Sequence, residues 1–574
     1  MIDPRYDTLQ VLFADRVFRI PAYQRFYSWQ AKQREDLFAD LVKLASRPDD
    51  QHHFMATIVC HRTGEVMPIG TAQYRLYDVV DGQQRLTTLI LLLKCIELEL
   101  PSGTDDRKDL GRILVKRDGN LILLQTNNVN AHIFNRFLRD GIKPNAAEIQ
   151  TQSDRNLVSA IKGCENFLRK WTATRDTQSL MRLVLHRLGF VVYDTEDTRI
   201  VYTLFEVLNS RGLAVDWLDK TKSVLMGKTY ELGGSPAAIQ AEIENLQKMW
   251  GQIYQVLARE DIPGDEILRI AATIYYGPGQ GKPRPSDESL ELLRNECKNP
   301  TSPTQISERL LEVAQQLADL YSNVQLNAVT DILQARLLAV ALKSAKGVSE
   351  LEREKLLSQW ERVTFRIFGL FGKDARTKVG DYVKLAFRIV TNHIEARTYN
   401  QIMASLREIG REYPADEAVK EGLAGKDFYE SPDACRYLLW NYEEHLAHDA
   451  GSGATYDEQE RAAIWKQRAV DSIEHVFPQN PAPKSSWNSK MRRGKEDLQP
   501  IQQHVGRIGN LLLLPSVLNG EAMTRPFGEK KAVYKKHNLR LIQEVLAKKD
   551  WTLVEIEERE ARISKWARER WADV

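Results

Sequence analysis

One junction constrains the fold of this chain more than any other feature. Leu76–Val80 (LYDVV) is typical of a buried strand, and after a single Asp-Gly pair an apolar helical pattern runs over Gln83–Leu100. We expect Asp81 to be the N-cap of that helix, because Gln84 follows three residues later in the spacing of a capping box. A strand that passes directly into a long apolar helix predicts an α/β arrangement at the N-terminal end of the chain.

Other short runs near this junction also predict alternating strands and helices. The apolar run Leu86–Leu93 is far shorter than the ~20 residues of a membrane helix, so it indicates a buried helix and no membrane association. The other elements predicted within residues 1–225 are strands at Val17–Ile20, Phe54–His61 and Leu188–Tyr193 and a helix at Thr198–Leu208. Together they predict one α/β domain.

The remainder of the chain has a different pattern. The chain has 574 residues, too many for one hydrophobic core, and residues 213–448 show almost continuous helical periodicity. A Gly/Ser-rich stretch at His448–Glu458 precedes a change in character. We therefore predict a mainly α protein with α/β parts, divided into an α/β domain (1–225), a helical linking domain (226–450) and a C-terminal domain (451–574). The last helix is expected at Glu555–Trp571, with Ile556, Ile563, Trp566 and Trp571 buried.

Charge and cysteine content exclude several classes of protein. The net charge is +2, from 80 basic and 78 acidic residues, so any nucleic-acid contact must come from local basic patches. The five cysteines include no CxxC pair, which argues against a zinc ribbon or a disulfide framework and favours a reducing compartment. The first ten residues lack the basic and apolar regions of a signal peptide. We therefore expect a cytoplasmic protein.

Three polar residues near the C-terminal end are spaced as in a nuclease site. His475 ends a strand-like run, Asn510 stands at the start of another, and Asn519 follows in a helical stretch. Hydrolysis of a phosphodiester at neutral pH needs a base for water, a metal ion to neutralise charge and a group that orients the base, and imidazole has the unperturbed pKa that suits the base. This order is that of a ββα-metal finger. The alternative is a packed strand-end histidine followed by asparagines that form turns.

The Asp-Gly junction itself has the parts of an anion site. Free backbone N–H groups at a helix start, a glycine that permits close approach and Arg85 in the first turn suit a phosphate group. A capped helix with a solvated arginine is the alternative. Gly279–Pro283 and Gly227–Thr229 lack the spacing of a Walker A loop, so nucleotide chemistry needs another scaffold.

The C-terminal motifs resemble the HNH-type nuclease domain of GmrSD-like modification-dependent restriction enzymes. The shared strings are EHVFP (Glu474–Pro478), GNLLLL (Gly509–Leu514), Asn519 and a Lys-Tyr segment at Lys531–Tyr534. The resemblance implies His475 as general base, Asn510 as its orienting partner, Glu474 and Asn519 as ligands of Mg²⁺ or Mn²⁺, and Lys530, Lys531 and Tyr534 as phosphate or DNA contacts. Two positions depart from the pattern: Glu474 stands where Asp is common, and Asn519 where His is common.

The N-terminal motifs resemble the ParB/sulfiredoxin-like domain of the GmrSD and SspE defence families. The shared strings are IPAYQRFYSW (Ile20–Trp29), DGQQRLTTL (Asp81–Leu89) and FEVLNSRG (Phe205–Gly212). The resemblance implies binding or hydrolysis of an NTP (ATP, GTP or CTP) centred on the second string. By position, the residues implied in nucleotide binding are Asp81, Gly82, Gln83, Gln84, Arg85, Gln24, Arg25, Asn209 and Arg211. The aromatic residues of the first string are expected to be core.

The two sets of motifs together predict an anti-phage restriction factor, an NTP-regulated and divalent-metal-dependent DNA endonuclease or nickase. Phage DNA and a nucleotide are the expected partners; sensing of modified DNA and a homo-oligomer are left open. One alternative is an NTP-switch regulatory protein of the same architecture with a vestigial nuclease domain. A second alternative, a partner-binding helical scaffold, accounts for the helical middle and leaves both sets of motifs as coincidence.

Overall fold

The described part of the chain is mainly helical and forms two compact units. The structure, a computed structural model, describes residues 4–69, 72–116, 123–126, 131–209, 216–449, 458–481, 485–487 and 502–574. Unit 1 consists of Met1–Ala272 and Pro285–Ala318, and unit 2 consists of Thr273–Arg284 and Asp319–Val574. The predicted class, mainly α with α/β parts, is confirmed at this level.

Unit 1 contains a mixed sheet of six described strands. In chain order they are β1 (Arg5–Thr8), β2 (Arg16–Ile20), β3 (His53–Ile69), β4 (Ala72–Asp81), β5 (Leu124–Thr126) and β6 (Leu188–Thr195). Across the sheet the order is β1-β6-β3-β4-β2-β5. β4 pairs antiparallel with β3 and parallel with β2, so it lies in the middle of the sheet. The strands predicted around residues 17, 54, 76 and 188 are all present.

Helices make up the rest of unit 1. In chain order to residue 322 they are α1 (Leu9–Leu12), α2 (Ala31–Ala45), α3 (Gln83–Glu99), α4 (Asp105–Leu114), α5 (Ala131–Asp140), α6 (Gln152–Thr172), α7 (Thr177–Arg182), α8 (Thr198–Asn209), α9 (Trp217–Glu231), α10 (Pro236–Arg259), α11 (Gly264–Tyr276), α12 (Ser286–Glu296) and α13 (Ser302–Ser322). The central helix of the core is α3, whose apolar residues from Leu86 to Leu93 are 0% exposed.

The junction between β4 and α3 differs in one detail from the prediction. Gly82, rather than Asp81, is the N-cap of α3, and no side chain caps the helix. Gly82 has φ +91°, a left-handed conformation that glycine adopts without strain. The carboxylate of Asp81 instead accepts a hydrogen bond from the Gly82 N–H at 2.8 Å. The predicted cap was therefore wrong by one residue, because the chain uses a glycine turn to pass from strand to helix.

Unit 2 is helical apart from one small sheet among its described residues. Its helices are α14 (Val324–Val329), α15 (Leu333–Lys343), α16 (Glu350–Thr364), α17 (Val379–Val390), α18 (Tyr399–Gly410), α19 (Ala415–Gly422), α20 (Pro432–Asp449), α21 (Glu458–Trp465), α22 (Ala469–Ser472), α23 (Gln502–Val505), α24 (Ser516–Ala522), α25 (Phe527–Tyr534), α26 (Arg540–Leu546) and α27 (Leu553–Arg570). The sheet pairs β7 (Ile473–His475) antiparallel with β8 (Leu511–Leu513). The core around it includes the four residues predicted for the last helix, Ile556, Ile563, Trp566 and Trp571.

Two expectations drawn from composition can be compared with the structure. All five cysteines are free and buried, in agreement with the argument against disulfides. In the segments that the structure describes, no helix is both long enough and apolar enough to cross a membrane. Most of the Gly/Ser-rich stretch after His448 lies outside the described residues.

Candidate functional site

The predicted nuclease residues come together at the small sheet of unit 2. His475 ends β7 and pairs with Leu511 of β8, the residue after Asn510. Asn519 lies on α24, the helix that follows β8. The chain therefore forms two antiparallel strands and then a helix, in the order predicted from the motifs. Leu511–Leu513 are 0% exposed, so burial of this apolar strand fixes the sheet in the core.

The imidazole of His475 is buried and has an unsatisfied nitrogen. His475 is 7% exposed, and no polar atom of the described residues lies within hydrogen-bond distance of its Nε2. The ring of Tyr429 meets the imidazole edge to face, with 4.5 Å between the ring centroids. Burial, aided by the charge of Lys530, lowers the pKa of His475 to about 3. The imidazole is therefore neutral at physiological pH.

Asn510 fixes the loop after His475 rather than the imidazole itself. Its Oδ1 accepts hydrogen bonds from the Phe477 N–H at 2.7 Å and the Trp551 Nε1–H at 3.1 Å. Its Nδ2 donates to the carbonyls of Phe477 at 2.9 Å and Val505 at 2.8 Å. The side chain is 0% exposed. Asn510 therefore fixes the backbone that follows His475, and its four bonds go to groups other than the imidazole.

The glycine of the same motif is required by a close approach of α27. A Cβ at Gly509 would lie 2.0 Å from the carbonyl oxygen of Ile556. Arg559 of the same helix donates from its NH1 to the carbonyls of Gly509 at 3.0 Å and Leu511 at 2.7 Å. The last helix thus fixes the backbone on both sides of Asn510.

Glu474 is held by two residues that the motifs predicted as phosphate contacts. Lys530 Nζ donates to Glu474 Oε1 at 2.7 Å, and the Tyr534 hydroxyl donates to the same oxygen at 2.8 Å. Lys530 Nζ also donates to the carbonyl of His475 at 2.6 Å. Burial lowers the pKa of Lys530 and raises the pKa of Glu474, and each partner's charge opposes the other's shift. Lys530 and Tyr534, both 0% exposed, thus position the end of β7.

The other two predicted residues of this region also bind backbone groups. Asn519 Nδ2 donates to the carbonyls of Asp471 and Ile473, each at 3.1 Å, and so ties α24 to the start of β7. Lys531 Nζ donates to the carbonyls of Leu546, at 2.9 Å, and Lys548. Lys531 therefore caps the C-terminal end of α26.

In unit 1, two predicted glutamines join the first and second motif strings. Gln84 accepts a hydrogen bond from the Ser28 N–H and donates to the Phe26 carbonyl, both at 2.8 Å. Gln24 donates to the carbonyl of Val80, the residue before Asp81, at 3.0 Å. The structure therefore brings the two strings together, and it uses Gln84 and Gln24 as clamps within them.

Beside these clamps lies a cluster of charges of which the motifs singled out only Arg25. Arg25 Nε is 3.0 Å from Asp219 Oδ2, and the Tyr254 hydroxyl donates to the other oxygen of Asp219. Lys222, 1% exposed, donates to Gln24 Oε1 at 2.8 Å. Burial lowers the pKa of Lys222 to about 8, against the raising effect of Asp219. The one signal in the sequence was the LDKTK string (Leu218–Lys222), which begins after a gap of five residues from the third motif.

Two of the predicted nucleotide residues, Arg85 and Gln83, retain unused polar groups. Arg85 makes no hydrogen bond to any described residue, and its guanidinium lies 5.9 Å from the ring centroid of Trp29. Burial lowers the pKa of Arg85 and raises the pKa of Asp81, whose charges attract each other. Gln83 is 6% exposed, and its Oε1 has no partner among the described residues. Gln83 lines a cavity of about 20 Å³ beside Arg25.

A larger cavity opens on the other side of Arg25. Its volume is about 520 Å³, within the range of small-molecule sites. The walls come from the first motif string and from the starts of α6, α9 and α11, and include Trp29, Asn156 and Trp217. Of the remaining predicted residues, Asn209 ends α8, and Arg211 lies outside the described residues.

Comparison with known families agrees with the two sets of motifs. Residues 9–226 match the model of the GmrSD restriction endonuclease N-terminal domain, and residues 413–566 match that of the C-terminal domain. The chain has the architecture of a GmrSD restriction endonuclease. Both matches support a DNA endonuclease, as expected from the resemblance. Among curated proteins, none matches the chain significantly.

The described residues of this GmrSD C-terminal domain do not fit the metal site implied by the motifs. Glu474 Oε1 is occupied by the Lys530 ammonium and the Tyr534 hydroxyl, and Lys530 already balances the charge of the carboxylate. The Asn519 amide is turned with its NH₂ group to the backbone of β7. Within the segments described, no cluster of three His, Cys, Asp or Glu residues is arranged to hold a metal ion. We therefore derive no catalytic step through a metal from these residues.

Proposed function

We propose that the C-terminal domain cleaves DNA, with His475 as the general base. One observation supports this assignment above the others: the Nε2 of the buried His475 imidazole has no partner among the described residues. Lys530 and Asn510 also fix the backbone that follows it. A neutral imidazole can accept a proton from water. Its low pKa rises when a phosphate approaches, because a nearby negative charge favours the imidazolium form.

Replacement of the base is the direct test. His475→Ala is expected to lower the rate of plasmid nicking or cleavage by ~10²–10⁴-fold, the usual contribution of a general base. The matched control is His448→Ala, because the His448 side chain is 88% exposed and lies on α20 of the same unit. Both variants should keep the melting temperature of the parent protein. Undiminished cleavage by folded His475→Ala protein contradicts the assignment.

The metal requirement of cleavage is a separate proposal. We propose Mg²⁺ or Mn²⁺ dependence from the resemblance to HNH-type nucleases, although the described carboxylate at Glu474 is engaged by Lys530. Assays with Mg²⁺, Mn²⁺ and EDTA, on unmodified DNA and on DNA with modified bases, test it. Cleavage that persists in EDTA rules out the metal and leaves the assignment of His475 standing.

For unit 1 we propose NTP binding or hydrolysis at Asp81, Gln83, Arg85 and Arg25. Arg85 supports this proposal, because an unbonded guanidinium in the first turn of a helix can make two hydrogen bonds to a phosphate. The cavity of about 520 Å³ on the other side of Arg25 offers space for the remainder of a nucleotide. Regulation of DNA cleavage by the NTP belongs to the same proposal.

Nucleotide binding is tested by calorimetry and phosphate release with ATP, GTP and CTP. Asp81→Ala, Arg85→Ala and Arg85→Lys should each weaken binding, the last because lysine cannot replace a bidentate guanidinium. Arg112→Ala is the control, since its side chain is 72% exposed on α4 of the same unit. Parent protein that interacts with none of the three nucleotides contradicts the proposal.

A second candidate function is an NTP-switch regulatory protein with a vestigial nuclease domain. The observation that favours it is the pairing of Glu474 with Lys530, which occupies a carboxylate that the nuclease motif implies for metal. The two candidates differ in one result. A nuclease loses its activity with His475→Ala, whereas the regulatory protein binds NTP and shows no cleavage of any DNA offered.

A further inference from the structure

The turn between α24 and α25 presents an apolar side chain to solvent. The Arg525 N–H donates to the Ala522 carbonyl at 3.2 Å and closes a β-turn with Met523 in its second position. Met523 has φ +39° and ψ −122°, close to the type II′ turn that normally carries glycine there. Its side chain is 66% exposed. A residue other than glycine in this conformation carries backbone strain, and strain of this kind is concentrated at functional sites.

Hydrogen bonds and aromatic contacts hold this turn rigidly near His475. Trp487, which is 0% exposed, donates from Nε1 to the Arg525 carbonyl at 3.0 Å. The Trp487 ring packs against Phe477, two residues after His475, with 5.2 Å between ring centroids. At the start of the turn, the Met523 N–H donates to the carbonyl of Asn519, whose side chain is bonded to β7. The turn and β7 therefore form one rigid assembly.

The surroundings of the turn are basic, in contrast to the nearly neutral chain. Residues 516–540 contain six basic residues against two acidic ones, whereas the net charge of all 574 residues is +2. Lys530 and Lys531 are engaged within the fold, and the other four basic residues, Arg525 and Lys535 among them, are exposed. Lys536, two residues after the end of α25, is 2.6 Å from Glu521 of α24, so it lies beside the helix that leads into the turn. A second apolar side chain, Val517 on α24, is 80% exposed. Positive charge around an exposed apolar side chain suits a ligand that carries negative charges on its outside and apolar groups within.

We propose that Met523 is an apolar tip that enters a groove of duplex DNA and contacts the bases, while Arg525 binds a phosphate. The occupant is DNA because the charges complement phosphates and because His475 lies in the same rigid assembly. This inference rests on the proposed function only in its choice of DNA as ligand. Apolar side chains that press between base steps, methionine among them, are a known means of kinking a duplex.

The test measures DNA binding rather than cleavage, in full-length protein that carries His475→Ala. Met523→Gly relieves the strained backbone, so it should keep or raise the melting temperature while it weakens duplex binding about tenfold, the loss expected for one buried apolar side chain. The salt dependence should not change with Met523→Gly. Arg525→Gln should reduce the slope of log affinity against log salt by about 0.9, the contribution of one phosphate contact.

Matched controls separate a contact with DNA from a general effect of substitution. Asn392→Gly changes another non-glycine residue with positive φ, at +53°, after α17. Arg411→Gln removes another arginine of unit 2, with 73% side-chain exposure. Neither control should change affinity or its salt slope. Unchanged duplex affinity with Met523→Gly, or an unchanged slope with Arg525→Gln, overturns the proposal. Failure of DNA cleavage by the parent protein affects only the assignment of His475, because binding is measured without turnover.

Discussion

The side-chain amide of Asn510 makes hydrogen bonds with four polar groups at once. Orienting an imidazole would require only one of them. Removal of a side chain that serves buried groups leaves each of them without a partner, at roughly 1–3 kcal/mol per group. Asn510→Ala is therefore expected to lower the free energy of unfolding of unit 2 by at least about 3 kcal/mol. Denaturant unfolding measures this loss. If the Asn510→Ala protein kept full stability and lost only cleavage, the four hydrogen bonds of Asn510 would not contribute to stability as expected here.

Lys222 is expected to make the stability of unit 1 depend on pH in the alkaline range. Its pKa is about 8 in the folded protein because it is buried, whereas that of an unfolded lysine is about 10.4. Between these values the unfolded chain holds a proton that the folded chain has released, so folded-state stability rises with pH. Relative to Lys222→Met, the parent protein should gain up to about 3 kcal/mol of unfolding free energy as the pH rises from 7.5 to 10.5.

Urea unfolding at several pH values, followed through hydrogen exchange of α9, measures this difference between parent and variant. Lys220→Met, a lysine two positions away that stacks on Trp217 at the surface of the same helix, is the control and should show no such trend. A difference between parent and Lys222→Met that does not change with pH would mean that Lys222 stays charged throughout.

At the scale of elements, one buried ion pair links β7 to α25. The side chains of Glu474 and Lys530 are 4% and 0% exposed, so either charge left alone would be buried without a counter-ion. Glu474→Gln or Lys530→Met alone should cost about 3–5 kcal/mol of stability, and the double variant should recover most of it. Thermal unfolding of the three variants tests this pairing.

The same variants test whether Glu474 serves a metal ion as well. If Glu474 serves only as the ion-pair partner of Lys530, Glu474→Gln leaves the affinity of the folded protein for Mn²⁺ unchanged at low temperature. A loss of Mn²⁺ binding with Glu474→Gln, at a temperature where the variant remains folded, would return Glu474 to the role of ligand implied by the motif.

The elements themselves could be predicted from local pattern, and the contacts of the motif residues could not. Period-two and helical periodicity gave β4 and α3 to within a few residues, because each depends on neighbours in sequence. The partners of His475 and Glu474 depend on Lys530, more than fifty residues later, and a single sequence carries no signal for such a pairing. For this reason Lys530 was predicted as a phosphate or DNA contact, and it lies in the core.

The cluster around Asp219 shows the same limit in unit 1. Its members come from the first motif string, from α9 and from α10, and only the fold brings Arg25, Asp219 and Tyr254 into contact. Resemblance to a family identified the strings that meet there. It could not distinguish Gln24 and Gln84, which hold the strings together, from Arg85, which makes no hydrogen bond to a residue that the structure describes.

At the scale of the whole molecule, the hydrophobic core of unit 2 continues across the domain boundary predicted at residue 450. Leu438 and Trp440 of α20 are 0% exposed and belong to the same core as β7 and β8. A fragment of residues 450–574 lacks them, so its core would be open to water. We expect this fragment to unfold without cooperativity, whereas a fragment of residues 319–574 unfolds cooperatively.

Circular dichroism during heating distinguishes the two fragments, and near-ultraviolet signals from the tryptophans report whether their rings are packed. The longer fragment also shows whether nicking of DNA by unit 2 responds to NTP in the absence of unit 1. Cooperative unfolding of residues 450–574 would mean that α20 adds little to the core.

The contacts of α27 with the β7–β8 sheet have a consequence for synthesis of the protein. Asn510 receives one hydrogen bond from Trp551, and Arg559 binds the carbonyls on both sides of it. A ribosome releases His475 long before these residues, so the loop around the histidine cannot close while the chain is still growing. Nascent chains, and chains whose translation stops before Trp551, therefore lack these contacts around Asn510. If His475 is the base proposed above, only finished molecules are expected to cleave DNA.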